Sequence, residues 1–247
     1  MRRLSFVGLS LVLALSLLLG CSRATRPAQG RSAAAAQGER PLKGTLSTVG
    51  KGARSLKVLV LEGSPYEMGY AQGVLLKDEV RDLTAKVLPG LCRSEGLDLE
   101  AVDQVYQQQA PHIPEAYKEE MKGLSDGCGV PLRTVQRAQV IAETGEFACS
   151  AVAAWGKATR DGHLYQVRNL DYAIEAHIQD HPLIVVYKPD QGVPFVNCTW
   201  AGFLGVFTGI NAEKIAIGSI GDNCGREHER YDGITVAFLA RRVLQEC

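Results

Sequence analysis

The chain has 247 residues, 46% of them apolar by type, which is enough for one domain with a sizeable core and excludes a wholly disordered polypeptide. Its 27 Lys and Arg balance 27 Asp and Glu, so no global field draws it to nucleic acid or to an anionic surface.

The N-terminus reads as a targeting segment. Met1, Arg2 and Arg3 give a positive opening, residues 4–20 (LSFVGLSLVLALSLLLG) form an apolar run too short to favour a spanning helix, and Cys21 follows at once. The stretch LLGC resembles the lipobox of a bacterial lipoprotein. That resemblance implies a signal peptide over residues 1–20, lipidation of Cys21 as the mature N-terminus, and a place in the cell envelope, anchored to a bacterial membrane and facing periplasm or exterior. Ser22 in place of an aspartate leans towards an outer membrane. An ordinary secretory signal with an incidental Cys21 is the plainer alternative. Export by either route permits disulfides, so Cys92, Cys128, Cys149, Cys198, Cys224 and Cys247 could pair in several ways. The sequence has no CxxC pair and no His at zinc-ligand spacing from a cysteine pair, and no metal or other cofactor is expected.

Residues 21–55, rich in Ala, Gly, Ser and Arg and without an apolar period, read as a flexible tether. Its seven basic residues (Arg23, Arg26, Arg31, Arg40, Lys43, Lys51, Arg54) face one acid, Glu39; a solvated linker accounts for them, with contact to anionic headgroups as the alternative. LKVLVLEG (56–63) is the first strand. Ser64, Pro65 and Glu67 form a capping box that opens a helix through about residue 88, with Met68, Ala71, Leu75 and Leu83 near one face. Helical patterns over 99–109, 114–124 and 131–143 make residues 56–148 mostly helical.

At Cys149 the period changes to that of strands. CSAVAAW and HLYQVRNL flank GKATRDG, whose Asp161-Gly162 is a hairpin signal. PLIVVYK, PFVNCTWAG, FLGVFTG and KIAIGSIG follow as an antiparallel meander. DGITVAFLARRVLQEC then turns helical, with Val236, Leu239, Ala240, Val243 and Leu244 on one side. The fold class is α+β, a helical front half followed by antiparallel strands.

A cysteine at that junction is a candidate nucleophile. The attacking species is the thiolate, which needs a base or a positive neighbour near neutral pH. None of His112, His163, His177, His181 and His228 stands in a recognisable cysteine-protease context. The chain's own amine is another base: a cut between Ala148 and Cys149 frees an α-amino group whose reference pKa, about 7.7–8.0, suits general-base work. A small residue before the cysteine leaves the thiol room to attack the preceding carbonyl.

GSPYEMGYAQGVLL (63–76), CSAVAAWGKATRDGHLYQVRNLDY (149–172) and GINAEKIAIGSIG (209–221), in that order, resemble the acyl-coenzyme A:6-aminopenicillanate acyltransferase family, or C45 peptidases. These are N-terminal-nucleophile hydrolases, more distantly similar to bile salt hydrolases, penicillin V acylases, acid ceramidase and phospholipase B-like proteins. The resemblance implies an αββα sandwich, with its nucleophile core over residues 149–247. Cys149 would be the nucleophile released by autocleavage at the Ala148–Cys149 bond. Arg168 would lie beside the thiol, Asp171 would hold the new amine, and Asn223 would serve the oxyanion hole. A guanidinium beside sulfur favours the thiolate, and a carboxylate orients an amine and stabilises its protonated form. For a regular strand the side-chain period of two puts Arg168 and Asp171 on opposite faces, so the strand is expected to end or bulge between them. Taken singly, Arg168 and Asp171 also read as solvated or salt-bridged surface charges, and Asn223 and Asn211 as turn residues. Trp155, Tyr172, Trp200, Phe203 and Phe207 could line an acyl pocket or simply pack the strands.

Family members continue beyond the position of Cys247, so the resemblance implies further strands and helices that this sequence lacks, and a fold incomplete at the C-terminus. Three functions follow from these readings. The first is an exported, lipid-anchored amidohydrolase or acyltransferase that takes a linear amide through a thioester. The second is a lipid amidase or phospholipase B-like hydrolase. The third, of another class, is a truncated, non-catalytic envelope lipoprotein. The partners expected are a small amide or acyl substrate and a membrane reached through Cys21, with no nucleic acid.

Overall fold

The computed structural model describes residues 41–141, 144, 148–172, 174–221 and 230–247. The signal-peptide and lipidation expectations at residues 1–21, together with Asn223, Cys224 and His228, lie outside the described residues. The described chain is α+β, with six helices and two sheets. Among the described residues no helix is long and apolar enough to cross a membrane.

β1 (Gly44–Val49) falls within the stretch read as a tether, so the folded body begins by Pro41 rather than after Ser55. It pairs antiparallel along the whole of β2 (Leu56–Gly63), a partner that composition alone does not reveal. β2 is also the parallel neighbour of β5 (Pro182–Pro189), and β6 (Phe195–Trp200), β7 (Thr208–Asn211) and β8 (Ala216–Gly218) continue antiparallel in the order β1-β2-β5-β6-β7-β8. The expected meander is therefore real from β5 to β8, but it joins the N-terminal strands through a parallel pair. β3 (Ala148–Gly156) and β4 (Gly162–Asp171) form a separate antiparallel hairpin.

Period-two alternation sets the core. Leu59, Leu61, Leu183, Val185, Tyr187, Phe195 and Asn197 are buried on one face of the six-stranded sheet. On the other face Val58, Val60, Ile184, Val186 and Val196 are half-exposed.

The capping box predicted at Ser64 is formed: Ser64 Oγ accepts from Glu67 N, and Ser64 N donates to Glu67 Oε2 at 3.0 Å. α1 (Pro65–Leu75) stops at Leu76, and α2 (Lys77–Glu95) runs on to a left-handed Gly96, so the single helix expected through residue 88 is two. α3 (Leu99–Gln109) opens on Asp98, which accepts from Ala101 N at 2.8 Å.

α1 lies directly against α4 (Glu115–Cys128), and glycines make the approach possible. Gly69 and Gly73 on α1 face Gly123 and Gly127 on α4, each four residues apart and so on one helix face. A Cβ on any of them would sit inside the van der Waals envelope of the opposite backbone, against the carbonyls of Glu120, Leu124, Tyr66 and Tyr70 respectively.

α5 (Leu132–Val140) is tied to α3 by Asp103, whose carboxylate takes Arg137 Nε at 2.7 Å and Nη2 at 2.6 Å together with Arg133. The two guanidiniums, Arg137 first, hold the Asp103 carboxyl well below the usual carboxylate range.

α6 (Val236–Glu246) is capped by Thr235. Its buried side is Ala237, Phe238, Ala240, Arg241 and Leu244, whereas Val236 and Leu239 face solvent. The expected face is thus rotated, because Arg241 goes inside: its Nη2 meets Glu120 Oε2 at 2.5 Å, and its guanidinium packs over the rings of Tyr117, Tyr187 and Phe195. The five described cysteines are free thiols, with Cys92 and Cys128 buried.

Gly123→Ala is expected to destabilise the fold by about 1–3 kcal/mol through overpacking, read as a lowered urea midpoint. Asp103→Asn should lower stability at pH 7, and the gap from wild type should close as pH falls below about 4. A depressed carboxyl contributes its full stability above its unfolded-state pKa and loses it progressively as pH falls towards the lower folded-state value, so the wild type loses that share as the group protonates.

Candidate active site

The hairpin β3–β4 brings two of the expected residues together. Its register sets Cys149 opposite Leu170 and Ala151 opposite Arg168, placing Cys149 and Arg168 on one face. Arg168 Nη2 donates to Cys149 Sγ at 3.0 Å. Cys149 is half-buried. His163, His177 and His181 lean instead on Asp161, Asp180 and Asp82.

Asp171 is placed differently. β4 runs unbroken to Asp171, with no bulge between it and Arg168, and Asp171 pairs across from Ala148. Its side chain therefore points away from the Arg168 face, is exposed, and accepts from Asn169 Nδ2 at 2.5 Å. The expectation that the strand ends or bulges between the two charges is not met, because a continuous ladder keeps the period of two. Asp171 instead flanks the Ala148–Cys149 bond through the backbone register.

Arg168 is held from β8 as well. Its Nε donates to Ser219 O at 3.0 Å, and its guanidinium lies 5.8 Å from the centre of the Phe207 ring. Phe207 stacks on Phe203 at 5.4 Å and on Trp200 at 6.1 Å, while Trp155 is 63% exposed on the hairpin. Of the five aromatics singled out in the sequence, Trp200, Phe203 and Phe207 thus form one wall behind Arg168.

That wall stands on the segment 201–207, which the sequence presents as part of a strand. It is an irregular loop, because buried side chains take its backbone groups. Gln139 Oε1 accepts from Leu204 N at 2.8 Å, and Gln139 Nε2 donates to Gly202 O at 2.9 Å. Asn197 Nδ2 donates to Gly205 O and Arg241 Nη1 to Leu204 O, both at 2.9 Å. Sequence reading missed these three polar clamps. Their signal was a polar residue in the phase of a buried face: Gln139 on α5, Asn197 between Phe195 and Thr199, Arg241 three residues from Phe238 and Leu244. Asn211, read as a turn residue, does bind Ile215 N, and also donates to Leu244 O at 3.0 Å and Cys247 O at 2.9 Å, so it docks the end of α6.

No family model matches the chain. Over 232 residues it is 30% identical to protein dcd1B of Dictyostelium discoideum, covering 82% of this chain and 45% of that protein. Its 30% identity to protein dcd1A of the same organism runs over 238 residues, 82% of this chain and 52% of that protein. It is a distant relative of the N-acylethanolamine-hydrolyzing acid amidase of Cavia porcellus, 24% identical over 118 residues, 48% of this chain and 32% of that enzyme. The chain spans about half the length of the dcd1 relatives it matches.

Gln139→Leu strips the partners from Leu204 N and Gly202 O together. The expected loss is about 1–3 kcal/mol for each group left buried and unpaired, read by urea denaturation.

Proposed function

We propose that this chain is a cysteine amide hydrolase of the N-terminal-nucleophile type, acting on a linear N-acyl amide through a thioester on Cys149. The observation that carries the reading is the 3.0 Å contact from Arg168 Nη2 to Cys149 Sγ, at the point where helices give way to strands. In self-activation the Cys149 sulfur adds to the Ala148 carbonyl carbon, the Ala148–Cys149 C–N bond breaks, and the amine leaves protonated. Water then hydrolyses the Ala148 thioester, breaking its C–S bond to give the Ala148 carboxylic acid and to return the Cys149 thiol beside its free α-amino group. In turnover that amine takes the thiol proton, the thiolate adds to the substrate carbonyl, and the proton passes to the departing amine. Water activated by the same amine releases the acid.

Arg168 stabilises the thiolate by a charge-assisted hydrogen bond. Asp171, opposite Ala148 in the ladder, is assigned to holding the new amine. Asn223 is kept as the oxyanion donor; Ser219, anchored on Arg168, is four residues away along the chain, a span of at most about 14 Å.

Export and a lipid anchor at Cys21 belong to this proposal and rest on the LLGC stretch. N-acyl lipid amides are the first substrate class to try, since one relative is named for hydrolysing N-acylethanolamine. Transfer of the acyl group to an amine acceptor in place of water uses the same thioester.

Intact-mass analysis is expected to show two fragments, the second beginning at Cys149, and one uncut chain for Cys149→Ala. Arg168→Gln should lower kcat on an N-acyl amide by roughly 10- to 100-fold, the worth of one charge-assisted hydrogen bond. An uncut wild-type chain inert towards N-acyl amides supports the non-catalytic envelope lipoprotein instead.

A further inference from the structure

An arginine side chain carries about 2 kcal/mol of rotamer freedom, and one hydrogen bond to sulfur does not hold it. On the other side of the guanidinium sits a built support. Ser219 O takes Nε, which fixes one edge of the planar group, and the Phe207 ring lies under the cation, which fixes its plane. Ser219 in turn is set by Phe207, whose backbone carbonyl accepts Ser219 N at 2.8 Å, next to the Thr208–Gly218 pair. Gly218 lets β8 come this close: a Cβ there would meet Gln166 Nε2 at 2.7 Å and touch the Arg168 stem at 3.5 Å. Phe207 is itself 5% exposed and cannot swing away, being stacked on Phe203 and Trp200 and packed against Ala237 of α6.

We propose that Phe207 is a positioning residue for the nucleophile, acting through Arg168: its ring sets the plane of the guanidinium and its carbonyl places the Ser219 oxygen that sets its edge, so that Nη2 lies on the Cys149 sulfur. This rests on the reading of Cys149 and Arg168 above. It adds a residue that touches neither the sulfur nor the substrate.

The test replaces Phe207 with phenylalanines carrying one to three ring fluorines, which keep the shape while draining the negative face that attracts the cation. The full chain is treated with iodoacetamide at pH 7, and alkylation of Cys149 is followed by peptide mapping, with exposed Cys198 as the reference thiol within the same molecule. The Cys149 rate is expected to fall stepwise with fluorine count, about two- to fivefold in all, while Cys198 is unchanged. Phe207→Tyr should retain the wild-type rate, and Arg168→Gln should fall below every fluorinated form. A role in packing alone predicts no dependence on fluorination. If Arg168→Gln slows the reaction and fluorination does not, the part assigned to Phe207 is overturned and the activation of Cys149 stands. If neither changes the rate, both fall. If the stepwise decline appears in a chain without amidase activity, the positioning stands and the proposed reaction falls.

Discussion

A guanidinium taken out of water must be compensated, and Arg241, at 1% exposure, is met by an opposite charge, a backbone carbonyl and three aromatic rings. Glu120 supplies the opposite charge from α4, and the rings of Tyr117, Tyr187 and Phe195 supply polarisable faces from α4, β5 and β6. The carbonyl of Leu204 takes another N–H. Burial pushes the Tyr117 phenol up to about 12, so it stays neutral beside the Arg241–Glu120 ion pair. One side chain therefore fixes α6, α4, two strands and a loop in a single arrangement. Removing it strands the buried Glu120 carboxylate.

The candidate site inherits its geometry from that cluster. Arg241, Gln139 and Asn197 spend their hydrogen bonds on the backbone of 201–207, and this loop carries Phe203 and Phe207 into a stack. The stack and the Ser219 carbonyl hold Arg168, and Arg168 reaches Cys149. Every link from the buried charge to the thiol is a directional contact between groups with few other choices. Precision at the sulfur comes from the core rather than from the hairpin, whose Val152, Val167 and Tyr165 are mostly exposed.

Local chemistry was legible in the sequence where a short stretch decides the outcome. The Ser64–Glu67 capping box and the GKATRDG turn are of this kind, because cap and turn are set within a few residues of chain, whereas the place of Arg168 beside Cys149 was implied by the family resemblance alone. Partnership across long separations was not legible. β1 looks like linker until β2 is beside it, and FLGVFTG looks like strand until Gln139 and Asn197 occupy its backbone. On α6 the apolar count favoured the wrong face, since the weight of Arg241 depends on Glu120, 121 residues earlier. The glycine pairs of α1 and α4 were visible as G-x-x-x-G in both GYAQG and GLSDG, and only their mutual contact gives that spacing a meaning.

The hairpin register has one more consequence. Ala148 and Asp171 form the outermost of the eight register pairs between β3 and β4, and the bond that follows Ala148 is the proposed scissile one. A nick there trims a fringe. It forfeits a single rung and leaves the remaining seven, with Cys149 as the new first residue of an otherwise intact strand. A chain end created inside a ladder would fray and carry its side chain off with it, whereas one created at the last rung stays moored by everything behind it. The position of the bond within the sheet thus lets a backbone be severed without loosening the atom that the severing exposes.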